Sequence, residues 1–351
     1  MPKFARLLVI LGMVAAVTCT VTVSAVAGAA QRAADTQRKS IPTTNPLPRP
    51  PSVFPLSTQD RWIVDAHGKR VKLASVNWYG AESPEYAVGG LDKASLGSIV
   101  TWIAGHGFNS IRLPWSNEMV EKNPVVKPEY LSANPELKGH RALDIYDRVI
   151  AAAARLGLMV VLDNHRSRAD WCCDFDHGDG LWYSREYPES AWVADWKTMA
   201  ARYRNQPAVV AADLRNEIRP DPAMTAKPPS WGDGDPAVDW KRAAELGGNT
   251  VLAMNPKLLI MVGGLNYGRN LTGAYDSPIQ LNVPHRVIYT AHDYVFNHNP
   301  AKLDSYSVFR QELVDTWGKI LEPGRPAIAP LYVGEFGSCT EGECAVKDLK
   351  Y

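Results

Sequence analysis

A chain of 351 residues, 46% hydrophobic and 21% charged, is long enough for a sizeable core, and its composition excludes a disordered or fibrous protein. Its net charge of +1 hides an asymmetry: six Lys/Arg and one Asp fall in residues 1–57, so residues 58–351 carry a net −4. A mildly acidic body argues against nucleic acid as a partner. All eleven Trp lie beyond residue 58, and of these about four are expected at a surface that stacks on uncharged rings such as sugars.

The chain opens with Lys3 and Arg6, then an apolar stretch from Leu7 to about Val26 and small residues up to Ala30. That order of charge, apolar run and small residues reads as an export signal over 1–30, and so as a secreted protein. About 20 apolar residues also suffice to span a bilayer, so a membrane is expected only if this segment is retained as an anchor. Residues 31–57 include IPTTNPLPRPPSVFP, which has no apolar period and reads as an extended linker. Beyond the signal stand Cys172, Cys173, Cys339 and Cys344. An even number fits disulfides in an exported protein, with three pairings open. There is no C-x-x-C spacing, so zinc is not expected.

From Arg61 the pattern changes. RWIVDAHGKRVKLASVNWYG predicts two short strands around a turn at Ala66-His67-Gly68 and a longer apolar segment after them. Further apolar runs end at Pro114, Asn164, Asn216, Gly264, His292 and Glu335, seven strands counting the run that ends at Tyr79. Between them lie helical stretches such as ALDIYDRVIAAAARLG, capped by Gly157, and AWVADWKTMAARYRNQP, stopped before Pro207. Near-continuous apolar strands alternating with helices predict a parallel sheet covered on both faces. Polar residues recur at the strand ends, and no G-x-G-x-x-G follows the first strand. That distribution favours a (β/α)8-type TIM barrel over a doubly wound sheet, because only the barrel gathers many strand ends into one site. Residues 58–351 are thus read as one catalytic barrel.

Glu217 closes the fourth strand and Glu335 the seventh, so in a ring of eight they face each other across the mouth. A carboxylate pair of this kind suits glycosidic cleavage, in which one acid protonates the leaving oxygen and the other carboxylate attacks or activates water. Taken singly, each motif is weak. Together, FNSIRLP, VVLDNHRS, DLRNE, YTAHDY and VGEFG over residues 60–345 resemble glycoside hydrolase family 5, the family of many cellulases and mannanases. The resemblance implies Glu217 as acid/base and Glu335 as nucleophile of a retaining reaction. It also implies that Asn216 binds the sugar 2-hydroxyl, that Arg112 holds Glu335 ionised, and that Tyr294, His165 and His292 line the same subsite. The expected activity is endo-β-1,4-glucan cleavage by a monomer without cofactor, with mannan as the alternative substrate.

Other readings of these residues are structural. Arg112 could be an ordinary barrel ion pair, and His165 and His292 could serve as hydrogen-bonding groups. Asp163, His165, His292 and Asp293 do not promise a metal site, since neighbours on a strand point to opposite faces. Asp174, Asp176 and Asp179 lack a calcium-loop signature. Aromatic residues Trp171, Trp182 and Tyr183, in the loop after the third strand, are expected to wall the cleft, with Trp231 in the loop after Glu217 on the other side. Two features depart from the family pattern. No eighth strand with its terminal Trp is recognisable, and Ile218 stands where Pro commonly follows Asn-Glu. The expectation is a truncated barrel with exposed edges, poorly stable or weakly active, or one that binds carbohydrate without turnover.

Overall fold

The computed structural model describes residues 53–171 and 178–337. The apolar segment, the linker as far as residue 52, all four cysteines beyond residue 30, and Asp174 and Asp176 lie outside the described residues. The packed region starts earlier than the expected linker boundary. Leu56 is buried, and Val53 O accepts from Ala66 N at 2.9 Å.

Strands β1 (Ser57–Gln59), β2 (Trp62–Val64) and β3 (Arg70–Val71) form a small antiparallel sheet, the predicted hairpin with one strand added before it. Seven parallel strands follow: β4 (Ser75–Asn77), β5 (Ser110–Ser116), β6 (Met159–Arg166), β7 (Val209–Asp213), β8 (Leu259–Gly263), β9 (Val287–Tyr294) and β10 (Leu331–Gly337). They lie side by side in chain order, each hydrogen-bonded to the next. Helices alternate with them, among them α1 (Leu96–Gly105), α2 (Asn117–Lys122), α3 (Ala142–Arg155), α4 (Glu189–Arg202) and α5 (Trp240–Met254). The sheet curls into a nearly closed barrel. Asn77 Nδ2 on its first strand donates to Gly334 O on its last at 3.0 Å.

Alternation along each strand divides the barrel into two cores. Outward residues such as Ile111, Leu113, Val160, Leu162 and Ala212 pack against the helices. Inward residues Met159, Val161, Ala211, Met261, Ile288 and Tyr332 fill the lower barrel, plugged from below by Leu56, Ile63 and Val71. Continued two residues at a time toward the strand ends, the same inward rows become polar: Met159, Val161, Asp163, His165 on β6; Ala211, Asp213 on β7; Ile288, Thr290, His292 on β9. One face of each strand therefore serves as core at the bottom and as site at the top.

Helix-borne tryptophans peg the strand ends. Trp192 and Trp196 on α4 both donate to Leu214 O, at 3.2 and 3.0 Å, and Trp240 on α5 donates to Gly263 O at 2.8 Å. These carbonyls sit at or just past the strand termini, and buried they need a partner. The packing leaves no room at Gly247, where a Cβ would stand 2.3 Å from Trp192 Cη2. Gly247→Ala should therefore cost about 1–3 kcal/mol by overpacking, read as a lower urea midpoint. An unchanged midpoint would mean that α5 moves off Trp192 freely.

Candidate active site

Arg112 projects from β5 into the barrel mouth and is fully buried. Its Nε donates to Asp213 Oδ2 at 2.9 Å, Nη1 to Glu335 Oε1 at 2.9 Å and Nη2 to Asn216 Oδ1 at 3.0 Å, with Asp163 Oδ1 3.1 Å from Nη2. A buried guanidinium demands such compensation, and its planar fork holds each partner at a set angle.

Glu335 reaches this position through a bulge. Tyr332 pairs with Thr290 and Val333 with Ala291, after which the register shifts and Glu335 pairs with His292. The extra residue, Gly334, turns Glu335 to the inside, where strict alternation from Tyr332 would have sent it outward. Only glycine fits there, since a Cβ would lie 2.8 Å from Thr290 Oγ1 and 2.9 Å from His292 Nε2. Tyr294 donates its hydroxyl to Glu335 Oε2 at 2.9 Å. Burial alone would raise the Glu335 pKa, but His292, Arg112, His165 and the Tyr294 hydroxyl outweigh it and hold this carboxyl far below the usual carboxylate range. Burial and the neighbouring Glu335 charge raise the Tyr294 pKa, so its hydroxyl stays a donor.

Glu217 lies just past β7 with φ of +42°, a left-handed backbone that is uncommon for a non-glycine residue. Its Oε1 is 3.0 Å from His292 Nδ1, and the same nitrogen is 3.7 Å from Glu335 Oε2. One oxygen of Glu217, one of Glu335 and a nitrogen of His292 all lie within 4.8 Å of one another. Three such atoms are also a minimal set of metal ligands, but Arg112 already lends its positive charge to Glu335. His165 completes the floor, its Nδ1 2.6 Å from Asp163 Oδ2 and its Nε2 3.3 Å from Asn216 Nδ2.

A cavity of about 260 Å³ opens above this cluster, lined among others by Asn77, Tyr79, Glu82, His165, Trp171, Tyr294 and Glu335. Exposed Tyr79 and Trp171 meet edge to face at 6.0 Å on its rim. Trp182 is not there. Fully buried between loop and helix, it donates Nε1 to Glu189 Oε2 at 2.7 Å and packs on Trp240. Trp231 likewise turns outward, donating to Ser277 O at 2.8 Å and packing on Tyr289. Of the eleven tryptophans, then, Trp171 alone lines the cavity, against about four expected at a binding surface. Trp182, Trp192, Trp196 and Trp240 are fully buried, where the helix layer needs large apolar groups with one polar handle, while Trp102 lies exposed on α1. Sequence reasoning missed Asp163 and Asp213 as partners of Arg112, although each occupies the inward row of its strand. It also missed Glu82, a buried carboxyl that accepts from Gly80 N at 2.7 Å and whose pKa burial raises.

The family model for Cellulase (glycosyl hydrolase family 5) matches residues 64–351. The chain belongs to glycosyl hydrolase family 5. It is an endoglucanase-like glycoside hydrolase, similar to an endoglucanase of Paenibacillus polymyxa at 36% identity over 82% of this chain and 73% of that one. The major extracellular endoglucanase of Xanthomonas campestris is also 36% identical, over 67% of this chain and 48% of its own length. The chain thus spans about half of that relative. Among solved structures, an endocellulase of the archaeon Pyrococcus horikoshii superposes with a TM-score of 0.72 at 29% identity, covering 85% of each chain. A variant of that endocellulase has been solved in complex with cellotetraose.

The geometry around His165 has a consequence for pH. Burial would lower its pKa, but Asp163, Glu82 and Glu335 together push it from 6.5 up to about 9. A folded-state value above the unfolded one means stabilisation that is complete below about pH 6.5 and fades as pH rises through about 9. Urea midpoints should fall across that window, and His165→Asn should flatten the fall. An equally steep fall in the variant would assign it to other groups.

Proposed function

We propose that this glycosidase is a retaining endo-β-1,4-glucanase in which Glu335 attacks the anomeric carbon and Glu217 protonates the leaving oxygen. The observation that carries the reading is the approach of the two carboxylates, with oxygens within 4.8 Å. Retaining enzymes hold their carboxyls about 5–5.5 Å apart, whereas inverting ones need about 6.5–9.5 Å to admit a water between them. The electrostatics support the same division of labour. Glu335 is held ionised by Arg112 and Tyr294, as a nucleophile must be. Among the described residues Glu217 pairs with His292 rather than with an arginine. In the first step the glycosidic C–O bond breaks as the Glu335 carboxylate bonds to the anomeric carbon, and the Glu217 proton passes to the departing sugar oxygen. In the second, Glu217 takes a proton from water, whose oxygen replaces Glu335 and restores the anomeric configuration. Asn216, fixed by Arg112, supplies a donor for the sugar 2-hydroxyl. The Tyr79–Trp171 pair offers ring faces to a β-glucan chain, the polymer class of the cellotetraose bound by the archaeal relative.

Reducing ends should appear from soluble cellulose derivatives and fall to background in Glu335→Ala. Proton NMR of fresh product should show the β-anomer first. An α-anomer would replace retention with inversion, and oligosaccharide binding without any turnover would favour a carbohydrate-binding role. We also propose export, supported by Lys3, Arg6 and the apolar run after them. Residues 1–57 fused to a reporter that is active only outside the cytoplasm should yield activity, and a silent fusion would overturn this.

A further inference from the structure

Glu217 sits in a left-handed backbone conformation that a non-glycine residue keeps only where its surroundings enforce it. Its neighbours in the chain are held by backbone hydrogen bonds, Asn216 N to Asn164 O at 3.0 Å and Tyr267 N to Ile218 O at 3.1 Å, and one short piece of the loop after β6 grips the turn further out on both sides. Two residues before Glu217, the fully buried Arg215 donates from Nη2 to Asp179 Oδ1 at 2.8 Å and from Nη1 to Asn164 Oδ1 at 3.1 Å. Two residues after it, Arg219 N donates to Gly180 O at 2.9 Å. Gly180 N in turn donates to Asp221 Oδ2 at 2.8 Å. Arg219 also closes the turn on itself, its Nη1 donating to Glu217 O at 3.0 Å. Asp179 is anchored on its other side, accepting from Ser167 N at 2.7 Å and lying 3.1 Å from Arg166 Nε. Asp179 and Gly180 therefore grip the Glu217 turn before and after the strained residue. Neither reaches the cleft cavity.

We propose that Asp179, paired with Arg215 and continued by Gly180, is a positioning element for the general acid Glu217. This rests on the reading of Glu217 as the acid. A proton donor displaced by about 1 Å loses on the order of 10²-fold in rate. The grip also ties the acid to the loop that carries Trp171, so one loop presents both the rim aromatic and the brace for the proton donor.

The leaving group separates positioning from folding. A sugar hydroxyl leaves poorly and needs the proton, whereas a dinitrophenolate leaves without it. Values of kcat/KM on cellotetraose and on dinitrophenyl β-cellobioside are compared for the wild type, Asp179→Asn, Gly180→Ala and Glu217→Gln. Glu217→Gln should lose about 10²–10⁴-fold on cellotetraose and only a few-fold on the aryl substrate. Asp179→Asn and Gly180→Ala should each lose about 10–100-fold on cellotetraose and only about 2-fold on the aryl substrate. Gly180→Ala changes no charge but brings a Cβ to 2.9 Å from Arg219 O and from Asp221 Cβ. It decides the matter should Asp179→Asn fail to fold by tryptophan fluorescence. Equal losses on both substrates, or none on either, in the variants at 179 and 180 would overturn the proposal while Glu217→Gln keeps its selectivity. If Glu217→Gln itself loses equally on both, the assignment of the acid is what fails.

Discussion

A single guanidinium, that of Arg112, is withdrawn from water at the centre of the barrel mouth, and the arrangement of the site follows from satisfying it. Burying a charge costs several kcal/mol unless ion pairs and hydrogen bonds offset it. Here Asp163, Asp213 and Glu335 supply the negative charge and Asn216 a further acceptor. These four groups come from β6, β7, the loop after β7, and β10. Each can reach Arg112 only when its strand is in register, so the same interaction that orients Glu335 also locks the relative heights of the strands.

The two glutamates are delivered by unlike devices. Glu335 is turned inward by the bulge at Gly334, in a strand otherwise paired regularly with β9. Glu217 is held past the end of β7 in a left-handed turn, braced by neighbouring loops. Between them His292 contacts both, which couples the two carboxylates electrostatically while leaving Arg112 and Tyr294 on one of them alone. This asymmetry gives two residues of the same chemical type unlike surroundings, which the proposed division into acid and nucleophile requires.

Much of this was legible in the sequence, and the failures have a common cause. The seven strands, their order, and helices such as α3 and α4 follow from apolar periodicity, which the tertiary structure had only to pack. Of the loop tryptophans expected to wall the cleft, Trp171 does so and Trp182 and Trp231 do not. Trp182 and Trp231 carry no sign in their local sequence of which way they face, and a loop aromatic can cover the core or the ligand equally well. Only the long-range partners, Glu189 and Trp240 for one, Ser277 and Tyr289 for the other, send them away from the cleft.

The spacing of polar strand ends placed Glu217 and Glu335, from sequence alone, at opposing strand ends of one barrel mouth, and the family resemblance added Arg112, His165, Asn216, His292 and Tyr294 to the same site. A period of two assigns a face to every residue of a regular strand without reference to any other strand. What the tertiary structure decided is everything set by distance between strands: the approach of the two carboxylates to within 4.8 Å, the bulge that brings Glu335 inward, and the contacts that hold Glu217 at positive φ. Those depend on register and on loop contacts between residues tens to hundreds of positions apart, and no local pattern encodes them.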